Sequence, residues 1–447
     1  MSASLHPSPV SRFPPGVAVR RTAAAVLLAV RDGNSLKSAL PGALGGLADP
    51  RDRALCESLC FHSLRHLRRY DDILSALLDK PLPPAAREVH ALLLIGLAQL
   101  DALGLVEHAA VAATVEAVRV KHPRLAGLSN AILRRYLRER AVLATRCVDL
   151  PAVRFSHPDW LYLQLQRDWP DDVLGVLAAN TTEAPVWIRV NRSRVDDPER
   201  LRAAWRTQGV ESEAASHQPL ALRLVGSGLP TLLAGWAQGH FAVQDVSVQN
   251  AVRAMDLQPG LRVLDACAAP GGKTVQIHDL CPQADLLALD VDARRVRRMQ
   301  DAFARQGVTA ELRAVDAAQV AQWWDGQRFE RILIDAPCSG TGVIRRQPDI
   351  LLHRRESDLP ALYQRQRDLL EALWPLLAVG GRLVYATCSV LKSENAAQID
   401  DFLADHPDAE SIPLDASYGR PSGAGWQRLP GESGGDGFFV AALRKTH

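Results

Sequence analysis

The chain has 447 residues, of which 47% are apolar and 23% charged, the proportions of a folded globular protein with several domains. Its seven cysteines form no Cys-x-x-Cys pair and their number is odd, which argues against a disulfide framework and favours a reducing cytoplasm. No apolar run reaches the roughly 18 residues that a membrane-spanning helix needs, so an integral membrane protein is also excluded.

The small net charge of +2 is unevenly distributed along the chain. Residues 1–145 hold 19 Lys and Arg against 12 Asp and Glu, a net +7, whereas the remaining residues hold 33 against 38, a net −5. A basic module joined to a mildly acidic one indicates a polyanionic partner for the first. Charge alone is equally compatible with a solvated helix surface.

The first part of the chain is predicted to be helical. Residues 1–16 are rich in Ser and Pro and predict a disordered tail. From 17 to 147 apolar residues recur at helical spacing, and Ala and Leu dominate, which predicts an all-α bundle. Ser129 is expected to begin the last helix. On that helix lie three arginines that either bind RNA phosphates or are merely solvated: Arg134, Arg135 and Arg138.

Two further domains follow. Residues 148–239 include an alternating strand-like run at 185–191 and predict a small α+β module. Residues 240–447 alternate strands with helices, which predicts a parallel sheet with helices on both faces, a Rossmann-like α/β domain. The predicted strands are 262–265, 286–290, 310–315, 331–335, 382–387 and a late one at 437–443.

A glycine-containing loop follows the first of these strands and precedes a helix. A phosphate-binding P-loop would need glycine where Cys267 stands, and the dinucleotide fingerprint G-x-G-x-x-G is absent. S-adenosylmethionine, which carries an adenosine but no pyrophosphate, fits what remains. Three aspartates at or just after successive strand ends are interpreted as cofactor ligands rather than loop caps. The predicted cofactor site is Cys267, Ala268, Ala269, Pro270, Gly271, Gly272, Lys273, Asp290, Asp316 and Asp335.

Two strand ends carry cysteines, in Asp335-Ala-Pro-Cys-Ser-Gly-Thr-Gly342 and in Ala386-Thr-Cys-Ser389. Either cysteine alone is more typical of a buried structural thiol. Two of them, each at a strand end, favour a catalytic role. A thiolate is a strong nucleophile and can form a covalent intermediate with a substrate.

These motifs, with Asp265–Thr274 upstream, resemble the RNA 5-methylcytosine methyltransferase family from about residue 18 to residue 443. The first helical part resembles the NusB fold, at 109–116 and 128–135. The resemblance implies an S-adenosylmethionine-dependent enzyme acting on C5 of a cytosine in 16S ribosomal RNA, free or early in assembly. It implies that Cys388 is the nucleophile and that Cys338 aids release, an assignment that motif order alone leaves open.

The same resemblance implies that the middle module grips RNA. Arg345 and Arg346 follow the first cysteine loop and are expected to contact RNA phosphates. A cytoplasmic monomer without metal is expected.

Three alternatives remain open at this level. One is an RNA-binding scaffold with a silent catalytic domain, against which both cysteines and the intact cofactor loop argue. Another is a DNA cytosine methyltransferase, which the Thr-Cys cysteine and the helical first domain disfavour. The third is the same chemistry on transfer RNA, which the catalytic motifs do not exclude.

Overall fold

The computed structural model describes residues 14, 16–101, 103–147, 149–226 and 229–447. By internal contacts the chain divides into two units. The first extends to Gln166 and adds Asp171–Thr182 and Ile344–Arg354, and the second holds the remaining segments. The predicted disordered tail, 1–16, lies outside the described residues except for residues 14 and 16.

The first unit is helical, as predicted. Its central helix, Arg87–Asp101, is buried over nearly its whole circumference and packs against five neighbouring helices, which is why apolar residues occupy almost every position from 89 to 100. The helices are α1 Val17–Arg31, α2 Leu36–Leu44, α3 Pro50–Arg65, α4 Leu67–Leu77, α5 Arg87–Asp101, α6 Glu107–Arg119, α7 Ala126–Arg146, α8 Pro151–Arg154, α9 Asp159–Asp168 and α10 Val173–Asn180. The last two residues of α9 belong to the second unit.

Helix α7 begins earlier than predicted. A 3₁₀ turn over Pro123–Leu125 leads directly into it, so Ser129 lies within the helix rather than at its start. The Ser129 hydroxyl donates to the carbonyl of Leu125 at 2.9 Å, a bond made inside a helix rather than at a cap. Among the described residues no helix combines the length and apolarity needed to cross a membrane.

The second unit contains a small antiparallel sheet, which is the predicted α+β module. Its strand order is β2-β3-β1-β4. The fourth strand pairs with the first although it lies beyond the predicted domain boundary at 239. The elements are β1 Trp187–Val190, α11 Pro198–Thr207, β2 Glu211–Ala215, β3 Gln218–Val225 and β4 Phe241–Val243.

A larger sheet with the order β11-β12-β13-β9-β8-β5-β6-β7 forms the rest of this unit, with β10 beside β13. Strands β5 to β9 pair in parallel, and the strands from β10 onward extend the sheet in antiparallel fashion. The elements are α12 Gln249–Arg253, β5 Arg262–Asp265, α13 Gly272–Leu280, β6 Asp285–Asp290, α14 Ala293–Gln306, β7 Glu311–Ala314, β8 Phe329–Asp335, α15 Ile350–His353, α16 Leu359–Leu373, β9 Leu377–Thr387, α17 Ala396–Asp405, β10 Ala409–Ser411, β11 Arg420–Ser422, β12 Gly425–Arg428 and β13 Phe438–Lys445. Of these, α15 belongs to the first unit.

Alternate residues of the central strands enter two separate cores, one on each face of the sheet. Ile332 and Ile334 pack with leucines of α16, whereas Leu333 packs with residues of α12 and α13. Because both faces of the sheet are covered here, Ile332, Leu333 and Ile334 form an uninterrupted apolar run in the sequence. The predicted Rossmann-like architecture is confirmed.

Candidate active site

The predicted cofactor and catalytic residues lie at or after the carboxyl ends of parallel strands, at one edge of the large sheet. Asp265 ends β5, Asp290 ends β6 and Asp335 ends β8, while Cys388 comes directly after β9. In the pairing register Asp335 stands opposite Ala386, two residues before that cysteine. Ligands of open α/β sheets bind at this edge.

The loop after β5 is shaped by close contacts. Gly271 has φ +98°, and a Cβ at this position would lie 2.9 Å from the ring of Phe303. Glycine is therefore required both by the backbone conformation and by the lack of space for a side chain. The amide of Ala269 donates to Asp290 Oδ2 at 3.1 Å, and Arg295 donates to the carbonyl of Ala269 at 2.6 Å. These bonds hold the loop against the end of β6.

Lys273, in the first turn of α13, reaches across to the end of β8. Its Nζ lies 2.6 Å from Asp335 Oδ2. Burial alone lowers the pKa of Lys273, but the facing carboxylate outweighs it and the net pKa is raised. Lys273 therefore remains protonated at neutral pH.

Two further carboxylates differ in their partners. Asp316, just after β7, is paired with Arg365. Asp265 is fully buried, and its Oδ2 accepts the hydroxyl of Thr274 at 2.7 Å. Its Oδ1 has no hydrogen-bond partner among the described residues. Burial raises the pKa of Asp265 to about 7.

This set of groups fits S-adenosylmethionine. The ribose hydroxyls, the adenine amine and the ammonium group of that molecule are donors, and the sheet edge presents acceptor carboxylates at 290, 316 and 335. The glycines of the loop 267–273 leave its backbone open to close approach by a ligand. Among the described residues, no cluster of three or more His, Cys, Asp or Glu is arranged to hold a metal ion.

The two motif cysteines meet. Cys338 Sγ and Cys388 Sγ are 3.4 Å apart, and both side chains are half-buried, as a nucleophile open to a base must be. The hydrogen bond with Cys388 and burial raise the pKa of Cys338 well above its ordinary value. Cys338 therefore keeps its proton at neutral pH. The amide of Gly342 donates to the carbonyl of Cys388 at 2.9 Å, which joins the two cysteine loops.

Behind the cysteines lies a buried polar cluster that the sequence did not indicate. Its members are fully buried side chains on three separate segments, and they surround the carboxylate of Glu394. They are Ser339, Thr341, Gln366, Ser389 and Glu394. A single Glu six residues after the Thr-Cys motif matches no catalytic pattern, so only the folded arrangement reveals it.

The predicted RNA-contacting arginines have different environments. Arg134 and Arg138 are exposed on α7, with Arg134 bonded to Asn130, whereas Arg135 pairs with Glu139 at 3.0 Å. Arg345 is only 2% exposed, and its carbonyl accepts from Arg65. Arg346 is half-buried.

Family models match three consecutive parts of the chain. A NusB family model matches residues 17–138, a ferredoxin-like domain model of the RsmF/B-like methyltransferases matches 157–228, and a model described as 16S rRNA methyltransferase RsmB/F matches 252–444. These correspond to the helical bundle, the small sheet module and the large sheet.

Similar proteins span almost the whole chain. A ribosomal RNA small subunit methyltransferase B from Xanthomonas campestris is 48% identical, over 96% of this chain and 98% of its own length. A protein of the same name from Xylella fastidiosa is 44% identical over the same shares. A crystal structure named PH0851 has the same fold, with a TM-score of 0.78 at 22% identity, over 97% of this chain and 99% of its own. This chain belongs to the 16S rRNA methyltransferase RsmB/F family, whose members use S-adenosylmethionine.

Proposed function

We propose that this enzyme methylates C5 of a specific cytosine in 16S ribosomal RNA through a covalent adduct between Cys388 and C6 of the base. The observation that carries the proposal is the pair of half-buried cysteines, 3.4 Å apart between sulfur atoms, on the loops that follow the paired strands β8 and β9. Relatives that match nearly the full chain are named for ribosomal RNA, which favours that substrate over transfer RNA.

The nucleophilic step belongs to Cys388. Its thiolate forms a bond to C6, and the electron pair displaced from the C5–C6 double bond makes C5 nucleophilic. S-adenosylmethionine supplies the methyl group that C5 then takes. Loss of the C5 proton restores the double bond and expels the Cys388 thiolate, so every bond made to the protein is broken again.

Cys338 serves the release step. Because its pKa is raised, it carries a proton at neutral pH. Its S–H can donate to the Cys388 sulfur 3.4 Å away and stabilise the departing thiolate. We assign Asp335 to accept a hydrogen bond from the cytosine edge, with Lys273, 2.6 Å away, holding that carboxylate in place.

A cytosine within a stacked helix could not reach these sulfurs, so the target base must be unstacked, as in loops and bulges. We propose that the basic first unit adds phosphate contacts through Arg134 and Arg138, which are exposed. Arg346 remains a candidate, whereas the buried side chain of Arg345 is not available in this conformation. The proposed setting is a cytoplasmic monomer that acts on 16S RNA, free or early in assembly.

Mapping 5-methylcytosine in RNA from cells with and without the gene tests this function. The proposal predicts that one or a few 16S positions lose the mark in the deletion strain and regain it with the wild-type gene. Regain should fail with a Cys388→Ala gene. Loss confined to transfer RNA, or no loss at all, would contradict the proposal.

A further inference from the structure

The buried carboxylate of Glu394 has no role in the reaction steps described above. It ends a 3₁₀ turn over Lys392–Glu394 and is 0% exposed. Burying a carboxylate is costly unless hydrogen bonds replace its lost water. The folded chain must therefore supply hydrogen-bond donors to the Glu394 carboxylate. The identity of those donors shows which segments the carboxylate holds together.

Four donors converge on the two oxygens of Glu394. Oε1 accepts the amide of Ser339 at 2.8 Å and the side-chain amide of Gln366 at 3.1 Å. Oε2 accepts the hydroxyls of Ser339 and Ser389. An ionised carboxylate accepts about four hydrogen bonds and donates none, so this acceptor is filled.

The partners are the residues that follow the two cysteines. Ser339 comes directly after Cys338, and Ser389 directly after Cys388. The Glu394 carboxylate therefore binds both cysteine loops, in each case at the serine that follows the cysteine. The hydroxyls of the two serines are 3.2 Å apart, so the loops also touch each other there.

Further hydrogen bonds next to the Glu394 carboxylate also connect the two cysteine loops. The hydroxyl of Thr341 is 3.1 Å from that of Ser389 and also accepts the amide of Val390 at 3.1 Å. Gln366, on α16, donates to the carbonyl of Pro337 at 2.9 Å as well as to Glu394. The Pro-Cys loop is thus fixed from the helix side, and the Thr-Cys loop is fixed to it.

We infer that Glu394 is a positioning residue that holds the Pro-Cys and Thr-Cys loops in register, so that Cys338 and Cys388 meet at one base. Glu394 acts through Ser339 and Ser389 and does not touch the substrate. The catalytic consequence rests on the proposed function, whereas the effect on the distance between the sulfurs does not.

Two substitutions separate positioning from simple loss of packing. Glu394→Ala removes the acceptor that four donors share and with it the link between the loops. Glu394→Gln keeps one oxygen for the amides of Ser339 and Gln366, and the serine hydroxyls can rotate to accept from the new NH₂ group. Glutamine is therefore expected to restore most of what alanine loses.

The first readout is the rate at which diamide oxidises Cys338 and Cys388 to a disulfide in the RNA-free protein, followed by peptide mass spectrometry. The two thiols lose two electrons and two protons, which reduce diamide to its hydrazine. Glu394→Ala should slow this coupling at least tenfold, and Glu394→Gln should remain within threefold of wild type. An unchanged rate in Glu394→Ala would overturn the inference.

The second readout is methyl transfer to substrate RNA. Glu394→Ala should lower kcat at least tenfold, with KM for RNA and the affinity for S-adenosylmethionine within threefold of wild type. Phe402→Leu is the matched control, because this fully buried ring packs edge-on against Trp374 in a core cluster other than the one that Cys388 contacts. An equal loss of kcat in Phe402→Leu at matched Tm would reduce Glu394 to a structural role and overturn the inference.

If Glu394→Ala does not fold, Ser389→Ala replaces it, since it removes one link and leaves the carboxylate paired with Ser339 and Gln366. It should slow disulfide coupling at least threefold, and an unchanged rate would overturn the inference. A wild-type protein that couples its cysteines in a Glu394-dependent way but methylates no RNA would contradict the proposed function and leave the positioning role standing.

Discussion

The carboxyl edge of the large sheet and the exposed face of α7 both carry predicted functional residues, yet they differ in what fixes their geometry. At the sheet edge, parallel pairing brings Asp290, Asp335 and Cys388 together from positions almost 100 residues apart. On α7 the helical repeat places Arg134 and Arg138 on one exposed face, where Arg134 bonds Asn130 of its own helix. Strand pairing thus fixes the positions of site residues that are distant in sequence. A helix face fixes only which residues point the same way.

The largest effect is expected at the sheet edge, from Lys273→Met. The substitution leaves the Asp335 carboxylate without its partner 2.6 Å away, and an unpaired, largely buried charge is strongly unfavourable. Methyl transfer should fall at least 100-fold. The control is Lys445→Met, which removes an equally buried lysine bonded to Trp374. Activity of Lys273→Met within tenfold of wild type would remove the pair from the site.

Asp290→Ala should weaken S-adenosylmethionine binding at least tenfold in calorimetry. It removes an acceptor and frees the loop that Asp290 holds through Ala269. Asp301→Ala, on the exposed side of α14, should leave the affinity unchanged. If the two variants bind equally well, the assignment of Asp290 to the cofactor site is wrong.

Asp265 sets a pH dependence of stability. Its pKa is about 7 in the folded chain and near its ordinary value of 3.8 when unfolded, so between these pH values only the folded chain holds the proton. The stability contributed by this group is complete below pH 3.8 and is lost as pH rises to about 7. Relative to wild type, Asp265→Asn should therefore gain free energy of unfolding between pH 4 and pH 7. A constant difference in urea unfolding across that range would show that Asp265 is not protonated.

The smallest effect is expected on α7. Replacing Arg134 and Arg138 with Gln should flatten the plot of log K for RNA against log salt by about 0.7 to 0.9 for each lost phosphate contact. Arg119→Gln is the control, because that exposed side chain already pairs with Glu116. The same slope in all three proteins would mean that these arginines are simply solvated.

The strand ends were predictable because each carries its own local signal. Asp265, Asp290 and Asp335 end their strands as predicted, since an apolar run closes there with a carboxylate. The start of α7 was not predictable, since a 3₁₀ turn precedes the helix and carries no capping residue. Helix boundaries depend on such neighbouring turns more than on one residue type.

The site itself was predictable only where its residues belong to a motif. Glu394 was missed because its importance comes from Ser339 and Gln366, which lie 55 and 28 positions away. Arg345 looked like a phosphate ligand in sequence, yet it is buried in a segment whose partner, Arg65, is 280 residues distant. The surroundings of Glu394 and of Arg345 are formed by residues distant in sequence, so local residue spacing does not predict them.

The most direct test of the account concerns the roles of the two cysteines. Purified Cys338→Ala, mixed with substrate RNA and S-adenosylmethionine, should accumulate a protein–RNA complex that survives denaturing electrophoresis, because attack proceeds while release is slow. Cys388→Ala and the double variant should give no such complex, with circular dichroism and cofactor binding verifying their fold. A complex trapped by Cys388→Ala and absent from Cys338→Ala would contradict the account and place the nucleophile in the Pro-Cys loop.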